Sequence, residues 1–145
     1  MTAHKALVVV YSSSGNTLKV ARALATALDA DLEEIEPTDR VDVNIRGKGL
    51  QNFGNMGRVV LGGKLKRAAT LEPSSHDPAG YDLVVVGTPV YANTLPPAPR
   101  SYLMANGNRF RAVAFFCTGE APDNAHVFDL MAAASGVTPV LVEPF

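Results

Sequence analysis

The chain of 145 residues contains a single cysteine, Cys117, three scattered histidines, and no apolar run near the length of a membrane span, which takes about 20 residues. One cysteine cannot close an internal disulfide and offers no metal-ligand cluster, a pattern that suits a reducing cytoplasm. With no resolving cysteine and no cationic neighbour in sequence, Cys117 reads as a small buried residue and not as a reactive thiol. His4, His76 and His126 are too far apart to suggest a metal site, so no metal is expected and solvated or capping roles are. Charge is almost balanced at a net −1, which argues against a dedicated nucleic-acid binder. Met1 to Lys5 leads straight into an apolar run, so neither a signal peptide nor a membrane span is expected, and no internal repeat is visible. The remaining composition, 47% hydrophobic and 19% charged, is that of an ordinary globular protein. The length sets one domain over residues 1–145, and a domain of this size buries about 70% of its unfolded surface.

The informative stretch is Ser12-Ser13-Ser14-Gly15-Asn16-Thr17. Before it runs Ala6-Leu7-Val8-Val9-Val10-Tyr11, apolar throughout as a buried strand must be. After it, Val20, Ala21, Leu24, Ala27 and Leu28 recur at helical spacing, opposite Lys19, Arg22, Thr26 and Asp29. The six residues therefore form a turn between the carboxyl end of a strand and the amino end of a helix. A helix start leaves its first N–H groups unpaired and carries partial positive charge, so small hydroxyl residues there can surround a phosphate. Gly15 lets the backbone come close. The loop has no lysine or arginine, and Lys19 does not occupy the lysine position of G-x-x-x-x-G-K-[ST]; the dinucleotide pattern G-x-G-x-x-G is also missing. A neutral cradle for one terminal phosphate monoester is what these residues describe, with a plain helix cap as the structural alternative.

Ser12-x-Ser14-Gly15-x-Thr17 after a first hydrophobic strand resembles the phosphate loop of flavodoxins, whose pattern is [ST]-x-[ST]-G-x-T and whose ligand is FMN. A second resemblance lies in Gly87-Thr88-Pro89-Val90-Tyr91-Ala92-Asn93, similar to the G-T-P-x-[YW] loop in which an aromatic ring covers one face of the flavin. It implies that Thr88, Pro89, Val90, Tyr91, Ala92 and Asn93 line the ring. Tyr91 would cover one face, since an aromatic contact adds about 0.5–1.5 kcal/mol beyond buried area, and Ala92 and Asn93 would bring backbone groups near N5. Thr118-Gly119-Glu120 resembles the third flavin loop more weakly and would complete the pyrimidine side. No second aromatic follows Cys117, so the other ring face would be open, or covered by His126 or a neighbouring subunit. Negative charge on Glu120 and Asp123 would oppose a reduced, anionic flavin and lower its potential.

Along the rest of the chain, Asp31 to Ile35 reads as a short second strand, and the acidic residues Asp29, Asp31, Glu33, Glu34, Glu36 and Asp39 as a solvated edge. From Arg40 to Arg67 seven basic residues accompany one acid, so this segment is +6 and the remainder −7. A helix over roughly Leu50 to Arg67 is the weakest expectation, because four of the segment's six glycines fall within it. Leu83 to Val86 is a central strand, Ala98 to Met104 a helix opened by Pro96-Pro97, Ala112 to Phe116 a strand, Asp123 to Ala134 a helix and Thr138 to Val142 a last strand. Alternating strands and helices predict an α/β fold with an open five-stranded parallel sheet and ligands at its carboxyl edge. The resemblance supplies the flavodoxin-like three-layer αβα arrangement and strand order 2-1-3-4-5, with the final helix missing. Strands three to five would then show an apolar face to water, and a homodimer, or another partner, covering that face is expected.

The resemblance implies an FMN-binding redox protein, an electron carrier whose partner is a redox protein or a quinone-like acceptor, with no residue acting as nucleophile or general acid. Flavodoxin carriers are usually far more acidic than this chain. Two rivals share the fold: an FMN-dependent NAD(P)H or quinone reductase, and a flavin-free interaction module. A phosphoacceptor receiver fits poorly, since no acidic pair follows the first strand, and a cysteine phosphatase needs a cysteine in the loop.

Overall fold

A computed structural model describes residues 5–38, 71–90, 94–119 and 124–145. The first apolar run forms β1 (Ala6–Val10), the segment after the serine loop forms α1 (Asn16–Leu28), and β2 (Asp31–Glu34) follows. Later come β3 (Leu83–Pro89), α2 (Pro97–Asn106), β4 (Val113–Thr118), α3 (Asn124–Ser135) and β5 (Leu141–Pro144). The strands form one parallel sheet in the order β2-β1-β3-β4-β5. The helix expected over Leu50 to Arg67 lies outside the described residues, as does the whole basic segment Arg40 to Arg67.

Strand periodicity divides the core in two. Leu7, Val9, Val84, Val86, Val113, Phe115 and Cys117 point to the face that carries Tyr102 and Leu103 of α2 and Val127, Phe128 and Met131 of α3. Val8, Val10, Val85, Ala114 and Phe116 point to the face packed by Ala21, Leu18, Leu24 and Ala25 of α1. Right-handed crossovers require this division: the step from β1 to β2 runs in the opposite direction across the sheet from the steps β3 to β4 and β4 to β5. Each fully buried Val, Leu or Phe side chain contributes about 1.5–3 kcal/mol, so these strand interiors set the pairing register.

Helix ends follow local chemistry. At Asp29 the backbone enters the left-handed region, φ 49°, and its N–H reaches Ala25 and Thr26 carbonyls, which ends α1. Pro97 occupies the first turn of α2, where an N–H has no helical partner to lose. Gly136, at φ 72°, follows α3, and its N–H closes on the Ala132 carbonyl at 2.8 Å.

Four expectations change in detail. The buried side of α1 is Thr17 and Ala21 with Leu18, Leu24 and Ala25 packed beside them, whereas Leu28 is exposed in the last turn. The last strand is displaced toward the chain end: Pro139 has no N–H to donate, and the Val140 N–H bonds the Val113 carbonyl at 2.8 Å immediately before β5 begins. Glu33 is not part of a solvated edge, being only 6% exposed. It lies on the face shared with Val9, where its carboxylate accepts the Ser75 N–H at 2.9 and 3.1 Å and pairs with His76 Nδ1 at 2.6 Å. Finally, among the described residues the apolar face of strands three to five is bare at its outer strand. Val85, Ala114 and Phe116 are buried, while Leu141, opposite Ala114, and Phe145 are exposed; Val142, opposite Phe115, and Val140 are exposed on the other face. The Phe116 ring lies across Gly87 and meets Phe145 edge-on at 5.8 Å.

Candidate functional site

β1, β3 and β4 are neighbours in the sheet, so the loops that leave their carboxyl ends meet on one edge. Gly15 enters the first loop at φ 94° and ψ −10°. That conformation favours glycine, and the space where a Cβ would stand is open. Ser12 Oγ accepts the Gly15 N–H at 3.1 Å and the Leu18 N–H at 3.3 Å, which folds the loop into a ring around its own first hydroxyl. With its oxygen committed as acceptor, the Ser12 O–H remains a donor. The helical ladder starts with the Lys19 N–H on the Gly15 carbonyl at 3.1 Å. Among the described residues no acceptor takes the N–H of Ser14, Asn16 or Thr17. Ser13 is half-buried, and Ser14 and Asn16 are exposed.

Those three N–H groups open the positive end of α1, and every side chain of the six-residue loop is uncharged. A nest of this kind matches a dianion surrounded by donors, as a phosphate monoester is. The residues present therefore fit the phosphate of a nucleotide such as FMN.

The third loop is fastened directly to the first. Thr17, 1% exposed, and Thr118 at the end of β4 share a hydroxyl–hydroxyl bond of 2.7 Å across 101 positions of sequence. Thr118 also fixes the second loop, since its carbonyl accepts the Val90 N–H at 3.0 Å. It is thus the point at which all three strand ends are tied. Gly119 follows at φ 141°, a backbone state side chains rarely adopt, and a Cβ there would touch Val90 at 3.4 Å. Thr88 is fully buried and its hydroxyl donates to the Pro89 carbonyl at 2.9 Å. Its side chain therefore shapes its own loop. Pro89 and Val90 are half-buried. Tyr91, Ala92, Asn93 and Glu120, named from sequence for the ring and its edges, lie outside the described residues.

Cys117 sits behind the site, facing the α2 and α3 side, fully buried and reduced. Burial pushes its thiol up to about 11, so it stays protonated near neutrality. A cleft of about 260 Å³ lies elsewhere, at the end of β2, lined by Glu33, Glu34, Glu36, Glu72, Ser75 and His76. Sequence alone gave no sign of the Thr17–Thr118 bond, because neither residue's neighbours encode a partner so distant. No group of His, Cys, Asp and Glu among the described residues is arranged to hold a metal, and no described helix is long and apolar enough to cross a membrane.

A doubly wound sheet whose strand ends surround an uncharged amide nest belongs to the class of nucleotide-binding α/β proteins. Within that class the flavodoxin model matches residues 5–127, and the chain belongs to the flavodoxin family. The fold is similar to that of a flavoprotein from Lactobacillus acidophilus NCFM solved in complex with FMN, at 22% identity, covering 98% of this chain and 93% of that one with a TM-score of 0.77. A candidate flavoprotein from Bacteroides eggerthii superposes with a TM-score of 0.79 at 18% identity, over 98% of this chain and 88% of its own. One from Bacteroides uniformis gives 0.76 at 20%, over 99% and 90%. No curated protein matches the chain significantly.

Proposed function

We propose that the protein binds FMN and acts as an electron carrier. The observation that carries this reading is the tie of three neighbouring strand ends at Thr118, beside unpaired N–H groups at the start of α1. Family membership and the FMN held by the Lactobacillus acidophilus protein support the same cofactor here. Ser12, Ser13, Ser14, Gly15, Asn16 and Thr17 hold the phosphate through N–H and O–H donors. Thr88 to Asn93 border the ring, and so do Gly119 and Glu120 of the loop that Thr118 opens. When bound, FMN supplies the redox chemistry; the chain binds it, orients it and limits its contact with water.

The electron acceptor is a redox partner protein or a quinone-like molecule. A reducing cytoplasm suits the single buried thiol. The exposed Leu141 and Phe145, on the sheet face that α1 covers only in part, form the surface through which a second copy pairs, because a two-fold axis sets the same apolar patch against itself.

The test begins with the visible spectrum of the purified protein after addition of FMN and gel filtration. A retained flavin that dithionite reduces and ferricyanide reoxidises fits a carrier. Steady NAD(P)H oxidation with a quinone replaces that role with a reductase, and a protein that stays colourless overturns the cofactor itself.

A further inference from the structure

With FMN taken as the ligand of the nest, we infer that Thr118 is a positioning residue for the phosphate, acting through Thr17, and not a contact of the flavin ring. The two hydroxyl oxygens stand 2.7 Å apart and either can donate. A phosphate dianion has only acceptor oxygens, which removes that freedom. The Thr17 proton must turn to the phosphate, so the Thr17 oxygen becomes the acceptor and Thr118 the donor. The result is a chain of donors from Thr118 to Thr17 to phosphate, in which each bond polarises the next.

Burial makes the arrangement effective. Thr17 is 1% exposed and Thr118 is half-buried, so the bond between their hydroxyls is largely shielded from bulk water. Thr118 itself cannot drift, since its N–H and carbonyl belong to the β4 edge and its carbonyl holds Val90 at 3.0 Å. The hydroxyl is therefore presented to Thr17 by a sheet, with little conformational entropy left to lose on binding. Its reach toward the phosphate end is opposite to the pyrimidine-side role that its place in the third loop implies.

Riboflavin, which has the same ring and no phosphate, separates the two roles. Thr118→Val keeps the shape and removes the hydroxyl. The expected result is an FMN affinity lower by about two- to tenfold, the range for one net hydrogen bond, with riboflavin affinity unchanged and Thr118→Ser restoring FMN binding. In a Thr17→Val background, adding Thr118→Val changes FMN affinity no further. Equal losses for FMN and riboflavin overturn the inference and return Thr118 to the ring, as does a full Thr118→Val effect in the Thr17→Val background. If Thr118→Val lowers the melting temperature, Thr118→Ser carries the comparison. Absence of FMN binding by the wild-type protein overturns the cofactor reading along with this one; intact wild-type binding with an indifferent Thr118→Val overturns this one alone.

Discussion

Gly87 shows how one missing Cβ organises two strands. A Cβ there would come within 2.0–2.5 Å of three atoms of the Phe116 ring, so the hydrogen at this position is what lets the ring lie flat on β3. Flattened, Phe116 is 1% exposed and completes the core on the α1 side. Gly87→Ala is expected to destabilise the protein by about 1–3 kcal/mol, the usual cost of overpacking, read as a lower urea midpoint with an unchanged slope. An unchanged midpoint contradicts the contact. At Gly15 the requirement is different: the space is open and the φ of 94° alone favours glycine. The site's tight hydroxyl pair is also a residue-scale feature, and Thr17 and Thr118 are as ordinary in sequence as any other threonines. Their partnership arises only when β1 and β4 are placed on either side of β3.

At the scale of elements, what the sequence made legible was whatever periodicity and turn chemistry control. β1, α1, β3 and the turn between β1 and α1 follow from apolar runs, helical spacing and small polar residues, and the order 2-1-3-4-5 came with the resemblance carried by two loop motifs. The details that escaped depend on contacts between distant segments. Glu33 sits in an acidic run that reads as solvated, yet the backbone of Ser75 and the ring of His76 cover it. Burying a carboxylate is tolerated because its oxygens find donors, and those donors lie more than forty positions away. Likewise β5 starts late because a proline and a pairing partner at Val113 decide where the ladder begins. Propensity within Thr138 to Val142 carries neither fact. Of the site, the strand–turn–helix setting of Ser12 to Thr17 was readable from the sequence, whereas the Thr17–Thr118 bond was not, because it joins residues 101 positions apart.

For the whole molecule, the sheet's two faces are covered unequally: α2 and α3 pack on one, α1 on the other, and the apolar residues Val140, Leu141, Val142 and Phe145 remain exposed on the outer strand. Pairing through this strand predicts a sedimenting species of twice the chain mass at micromolar concentration, which Leu141→Asp converts to single chains. A strictly monomeric wild-type protein under those conditions contradicts it. Such an interface leaves the nest at the end of β1 reachable, because β3 and β4 separate β1 from β5. Amide NMR of the uniformly labelled protein reads the nest at the start of α1 residue by residue. The N–H resonances of Ser14, Asn16 and Thr17 are predicted to shift strongly when FMN is added and to stay in place with riboflavin. FMN that binds while these three amides remain unmoved, or that moves them no more than riboflavin does, would contradict phosphate binding by the nest.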